Sequence, residues 1–233
     1  MYAILDYNPQ LRPYAGEIEQ RVRRWRQVKH SLLSGGGTLS QFANGHLYFG
    51  LHRQEHGWVY REWAPAAQQL WLMGDFNGWN PTSHPLARVG NGVWELLLPN
   101  DSALWPGCKV KTLVQARGQV TEHIPLYAQR VVQDPDSFQW CAEVWTEDNP
   151  FSWTPFQPDL SAPLFLYEAH VGMAQEEEKI GSYREFADHI LPWIRASGYN
   201  AVQLMAVMEH PYYASFGYQV SSFFAPSSRF GTP

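Results

Sequence analysis

Two glutamates and one long loop hold most of the chemical promise in this sequence. Glu168 sits near the end of the apolar run 164–169 (LFLYEA), and Glu209 directly follows a second, 201–208 (AVQLMAVM). If the two runs are neighbouring parallel strands, both carboxylates lie at the same end. Glycoside chemistry needs such a pair, one acid to protonate the leaving oxygen and one carboxylate to attack or activate water. The competing reading is that each glutamate hydrogen-bonds loop backbone or a neighbouring side chain, and the residues alone leave both open. The second run continues into EHPYYASFGYQ (209–219), which is aromatic and polar together, as a sugar-binding loop would be.

Other constellations are weaker. His52 and His56 have an i, i+4 spacing, but in a strand–turn region that spacing does not converge, so no metal site is expected. The run Glu176-Glu177-Glu178 reads as a solvated stretch. Gly35–Gly37 lacks the strand-to-helix context of a phosphate loop, and no GxSxG nucleophile elbow occurs. Among 233 residues, 45% are apolar and 17% charged, a foldable composition. A net charge of −5 points away from nucleic acid and from anionic membranes. Aromatic content is high, with 11 Trp, 12 Tyr and 12 Phe; most such rings fill cores, but the excess of Trp also suits stacking on sugars. Cys108 and Cys141 are expected as free thiols. No signal-peptide core and no run of about 20 apolar residues is visible, so a soluble, cytoplasmic protein without a membrane partner is expected.

Three kinds of element would position these groups. Residues 1–15 read as extended, with Pro9 and Pro13 as breakers. From Gly16, the residues Ile18, Val22, Trp25, Val28 and Leu32 recur every three or four positions and predict an amphipathic helix ended by Gly35–Gly37. The basic residues Arg21, Arg23, Arg24, Arg26 and Lys29 read as its solvated face. Together, 1–40 form an N-terminal helical segment. Over 44–146 the strings HLYFGLH, GWVYREW, QQLWLMG, GVWELLL and CKVKTLVQA alternate or run apolar, with turns at Asn44-Gly45, His56-Gly57, Asn77-Gly78 and Asn91-Gly92. That pattern predicts an antiparallel β-sandwich. Residues 147–162, rich in Pro and aromatics, read as a linker hugging a surface. Beyond it, 163–233 predicts a strand, a helix opened by the capping box Ser182–Glu185 and stopped by Gly198, and a buried strand over 201–208: a βαβ unit with parallel strands. Thr232-Pro233 reads as the opening of a further helix, so this second domain is expected to be incomplete.

Several strings together resemble a known family. REWAPAAQQLWLMGDFNGWNP (61–81) is similar to the β-sandwich carbohydrate-binding modules of family 48 that precede the barrel in branching and debranching enzymes. LYEAHVG (166–172) and GYNAVQLMAVMEHPYYASFGYQVSSFFAPSSRFGTP (198–233) resemble the first two barrel strands of α-glucan branching enzymes of the α-amylase superfamily. MEHPYYASFGYQ and the lead-in LRPYAGEIEQRVRRW look like the eukaryotic-type branch.

The resemblance implies a (β/α)₈ barrel, here begun but not completed, and a retaining double displacement that turns an α-1,4 bond into an α-1,6 branch. It implies no metal and no organic cofactor, an α-1,4-glucan as partner, and a monomer at full length. By the family pattern the catalytic carboxylates lie beyond Pro233, so neither Glu168 nor Glu209 is nucleophile or acid and the chain itself is expected to be inert. Tyr218 matches a tyrosine that stacks on the sugar beside the scissile bond, with Glu209, His210, Tyr213 and Gln219 as pocket neighbours. Trp63, Pro65 and Asn91 resemble an oligosaccharide-contacting edge of the sandwich, with Trp79 and Trp94 as alternatives. The rival functions are a non-catalytic glycogen- or starch-binding protein and a related α-glucan hydrolase.

Overall fold

Pro9 and Pro13 do not hold the first fifteen residues extended. The computed structural model, which describes residues 2–100, 103–146, 151–159 and 161–233, begins with α1 (Ala3–Tyr7) and a 3₁₀ segment, Pro9–Tyr14. Asn8 caps that segment by accepting the Gln10 N–H at 3.1 Å, and Pro9 stands at its first position, where no N–H is needed. The prolines therefore start a helical turn instead of preventing one. The expected amphipathic helix is present as α2 (Ala15–Leu32). Its Ile18 and Val22 are half-buried, whereas Trp25, Val28 and Leu32 are exposed. Two short helices, α3 (Leu39–Phe42) and α4 (Gly45–Tyr48), complete the first of two compact units, Met1–Tyr48.

The second unit is Phe49–Pro233. Its sandwich starts later than the run HLYFGLH suggested. Residues 45–48 close a helical turn, with the Leu47 N–H on the Asn44 carbonyl, so Asn44-Gly45 opens α4 and is not a strand turn. The strands are β1 (Gly50–Gln54), β2 (Gly57–Trp63), β3 (Gln69–Gly74), β4 (Ala87–Gly90), β5 (Val93–Leu98), β6 (Lys109–Ala116), β7 (Gln119–His123), β8 (Val131–Gln133) and β9 (Trp140–Glu143). One sheet has the order β1-β2-β5-β4 and the other β3-β6-β9-β8, with β7 alongside β6; all pairs are antiparallel. Tyr60, Trp94, Leu70, Leu72, Val110 and Val131 fill the space between the sheets. Each such side chain contributes about 1.5–3 kcal/mol. Asn91-Gly92 makes the β4–β5 turn with φ of +50° and +79°, and a Cβ on Gly92 would lie 2.7 Å from Pro65. Glycine is required there on both counts.

Between sandwich and βαβ unit, residues 151–159 have no regular structure. Phe151, Trp153 and Phe156 are highly exposed, so this part of the linker does not hug a surface as expected; 147–150 and 160 lie outside the described residues.

Strand β10 (Leu166–His170) and β11 (Ala201–Met205) pair in parallel, from Leu166 opposite Ala201 to His170 opposite Met205. The helix joining them begins at the predicted capping box: Ser182 Oγ accepts the Glu185 N–H, and Glu185 accepts the Ser182 N–H at 2.9 Å. It runs as α5 (Tyr183–Glu185), a π-helical turn Phe186–Ile190, and α6 (Leu191–Ala196). The wide turn has a local cause. Pro192 offers no N–H and would press on the carbonyl four residues earlier, and the Leu191 N–H reaches back five residues to Phe186. Phe186 and Ile194 pack on Ala169 and Val171.

The second strand departs from expectation. It stops at Met205, where Ala206 takes a φ of +59°, and it is not buried: Val202 and Leu204 are exposed. The helix packs against the β10 side and leaves β11 uncovered. Beyond it, β12 (Met208–Glu209) pairs antiparallel with β13 (Ser222–Pro226), which closes the loop between them. Among the described residues no helix is long and apolar enough to cross a membrane.

Candidate functional site

The loop between β12 and β13 presents Tyr212, Phe216 and above all Tyr218 to solvent over a buried polar base. Tyr218 is 80% exposed. It follows Phe216 and Gly217, both with positive φ (+52° and +80°), and its N–H bonds the Ser215 carbonyl at 3.0 Å. Gly217 lies so close to Ala206 that an added Cβ would come within 2.3 Å of the Ala206 Cα. Underneath, Glu209 is wholly buried. Its carboxylate accepts the N–H groups of His210 (3.0 Å) and Ser228 (2.6 Å), the Ser227 hydroxyl (3.3 Å) and Arg229 Nη1 (3.4 Å). Arg229 also donates to the carbonyls of His210 and Pro211. A buried carboxylate is tolerated because donors surround it.

His170, at the end of β10, lies under the same loop in a box of Tyr213, Phe216 and Phe230, with ring centres 5.6–6.2 Å away. Burial, aided by the neighbouring His210 and partly opposed by its own backbone carbonyl, pushes its imidazole pKa down. His210 is buried too, its Nδ1 3.0 Å from the Met208 carbonyl and its ring stacked on Tyr213.

Trp63 and Trp79, with Trp105, are exposed indoles of the sandwich. Trp63, at the end of β2, is 53% exposed, and its Nε1 donates to the Asn91 carbonyl at 3.2 Å. Pro65 lies against Gly92 of the same turn, so Trp63, Pro65 and Asn91 form one edge. Trp79 follows β3 with a φ of +61°, and its Nε1 is held by Asp75 Oδ1 at 2.9 Å. It lines an open pocket of about 300 Å³ with Lys109, Lys111, Asp134, Ser137 and Gln139. Trp94, the other alternative, is excluded: it is buried in the core with its N–H on the Ala64 carbonyl.

Residues 48–135 match the profile of carbohydrate-binding module 48, the isoamylase N-terminal domain. Over 99% of its length the chain is 40% identical to the 1,4-alpha-glucan-branching enzyme of Equus caballus and 41% identical to those of Dictyostelium discoideum and Solanum tuberosum. It spans 34%, 35% and 28% of these relatives, about a third of their length. Solved structures agree on the fold alone. Pullulanase type I from Bacillus subtilis, in complex with maltose, superposes on 79% of this chain and 28% of its own with a TM-score of 0.63 at 18% identity. The pullulanase of Paenibacillus barengoltzii, with maltohexaose and alpha-cyclodextrin, covers 79% of this chain and 32% of its own at 0.64 and 18%.

The predicted residues sort by exposure. Tyr218 projects from the surface, and Gln219 beside it is exposed; Tyr213 is half-buried, and Glu209 and His210 are sealed beneath. The last two shape the loop from below and do not meet solvent. Glu168 is exposed and takes a hydrogen bond from Gln203 at 3.2 Å on the paired strand. Sequence reasoning missed Arg229 and Asp75. Asp75 stands four residues before Trp79, a spacing that would have suggested the tether. Arg229 lies 20 residues after its carboxylate partner, and no local pattern signals that pairing.

Proposed function

We propose that the chain is the carbohydrate-binding and barrel-opening part of a 1,4-alpha-glucan-branching enzyme, acting on α-1,4-glucan. Identity of about 40% along nearly the whole chain to enzymes of that name carries the reading. Residues 163–233 are then the start of a (β/α)₈ barrel. Parallel strands are ordinarily covered on both faces, and the exposed Leu166, Val202 and Leu204 support a fold in which further strands and helices pack on them.

In the reaction, a carboxylate attacks the anomeric carbon of an α-1,4-linked unit while an acid protonates the departing 4-oxygen. The 6-hydroxyl of another chain then displaces that carboxylate from the glycosyl-enzyme, losing its proton to the residue that acted as acid, and an α-1,6 bond results. We place both carboxylates outside residues 1–233. Glu209 is committed to the loop, and Glu168 is tied to Gln203. The role of this chain is to bind and orient. Tyr218 offers a face for the ring beside the scissile bond, and an oriented substrate lowers the barrier without chemistry of its own. The Trp63–Asn91 edge and the Trp79 pocket hold glucan at a distance from it.

Two experiments test this. Residues 1–233 should leave the iodine colour of amylose unchanged, while the gene product of its relatives' full length should shift it without releasing reducing ends. Release of reducing ends instead would mean a hydrolase. Calorimetric titration of maltoheptaose into Tyr218→Ala, Trp63→Ala and Trp79→Ala should show a loss of about 1 kcal/mol, roughly fivefold, per stacking ring; unchanged affinity in all three refutes the binding role.

A further inference from the structure

We infer that Arg229 is the positioning residue for Tyr218, because it pins the root of the Tyr218 loop to the sandwich. This rests on the reading of Tyr218 as a glucan contact. The guanidinium has two sides in use. Its edge donates to three groups at the start of the loop: the Glu209 carboxylate and the carbonyls of His210 and Pro211. Its face lies 5.4 Å from the ring centre of Trp140, on sandwich strand β9. One side chain thus joins the main chain at 209–211, from which the Tyr212–Tyr218 segment departs, to a core-anchored strand of the other layer. Two neighbouring contacts run parallel to it, the Tyr127–Phe224 stack at 4.2 Å and the Arg130–Gly231 hydrogen bond at 3.5 Å. Both reach chain beyond Tyr218, whereas Arg229 reaches the segment before it.

The arrangement uses what distinguishes arginine from lysine. A planar fork holds two carbonyls and a carboxylate from separate nitrogens and still presents a flat face for stacking, whereas an ammonium carries all its donors on one atom and cannot meet these groups and the ring from one position. Arg229→Lys therefore keeps the positive charge beside buried Glu209, so the loop stays folded, but releases the carbonyls and the stack. Trp140→Leu is the complementary variant: it keeps apolar packing under Arg229 and removes the ring.

The test is a double-mutant cycle on the chain as it stands, with maltoheptaose as probe and affinity read by calorimetry. If Arg229 acts through Tyr218, Arg229→Lys and Trp140→Leu each weaken binding by up to the roughly fivefold loss of Tyr218→Ala. In the Tyr218→Ala background neither weakens it further. A purely structural arginine would give losses that add to that of Tyr218→Ala, and additive losses or full affinity in both variants overturn the assignment. If Tyr218→Ala itself binds as tightly as wild type, the sugar-contact reading falls and takes this inference with it, an outcome distinct from the first.

Discussion

Replacing Glu209 by Gln should loosen the Tyr218 loop and leave the sandwich untouched. The carboxylate accepts from two backbone N–H groups, one hydroxyl and one guanidinium, all within 3.4 Å. Hydrogen bonds to a charged group contribute about 1.5–3 kcal/mol, and those to a neutral one about 0.5–1.5, so each donor loses roughly 1 kcal/mol when the charge goes. The amide nitrogen of Gln also cannot accept, so one of the donors at Ser228 or His210 loses its partner. Leaving out the partly exposed Arg229, the other three donors sum to about 3 kcal/mol even before that lost partner is counted, the lower edge of the roughly 3–5 kcal/mol for breaking a buried pair. Three kcal/mol is about a hundredfold in the opening equilibrium. Amide exchange followed by mass spectrometry reads it directly. Protection at Ser221, Ser227 and Ser228, whose N–H groups bond Glu209 or Val207 at the root of the loop, should fall at least about a hundredfold, with β3 and β6 amides unchanged. A loop that exchanges at the wild-type rate, or a sandwich that loosens equally, would refute Glu209 as the local anchor.

The packing sets three further outcomes. Gly217→Ala places a methyl against the Ala206 backbone at a φ of +80°, and should lower stability by on the order of 2–4 kcal/mol; an unchanged urea midpoint would contradict the contact. Tyr60→Phe leaves buried Thr112 and Glu62 without the phenol that bonds both (2.6 and 2.8 Å), at a loss of about 1–3 kcal/mol in urea unfolding with constant slope. The Glu185 carboxyl, held by the Lys179 ammonium and then by the Ser182 N–H and hydroxyl, is lowered from 4.5 to about 2. Its folded pKa lies below the unfolded one, so its contribution is full above about 4.5 and vanishes as pH falls through about 2. Lys179→Ala should move its carboxyl NMR titration upward; an unmoved midpoint would remove lysine as the cause.

The sandwich is legible in the sequence where a strand alternates against a core. Four of the five strings found by pattern, those over 57–116, form β2, β3, β5 and β6 within a residue of their expected limits. Strands β4 and β7 stay hidden, because their residues are all exposed and a strand without a buried face has no apolar period to read. Trp94 counts as a candidate contact only until its neighbours are weighed. It stands between Val93 and Glu95, and charged Glu95 fixes the outer face of β5, which turns Trp94 inward. Tyr218 is legible through its family string alone. Its support is not, because the Glu209–Arg229 hub and the Gly217–Ala206 contact join residues 11 to 20 positions apart through a loop with no period.

The exposed rings share one structural device. A stacking ring must be exposed to meet sugar, yet an exposed ring is held by few contacts and has much freedom to lose on binding. Here each ring proposed to touch glucan sits on or beside a residue in the left-handed region: Trp79 itself at +61°, Asn91 at +50° holding the Trp63 indole, and Phe216 at +52° just before Tyr218. Asn adopts that region readily, but Trp79 and Phe216 reach it only when their surroundings dictate it, at about 1–3 kcal/mol each. At each site the surroundings are visible: Asp75 on the Trp79 N–H, Pro65 against Gly92, and Ala206 against Gly217. Strain of this kind fixes a ring's direction from the backbone side and leaves its face free. Relaxing the backbone should therefore reduce sugar affinity more than it reduces stability, whereas loss of a buried ring reduces stability first.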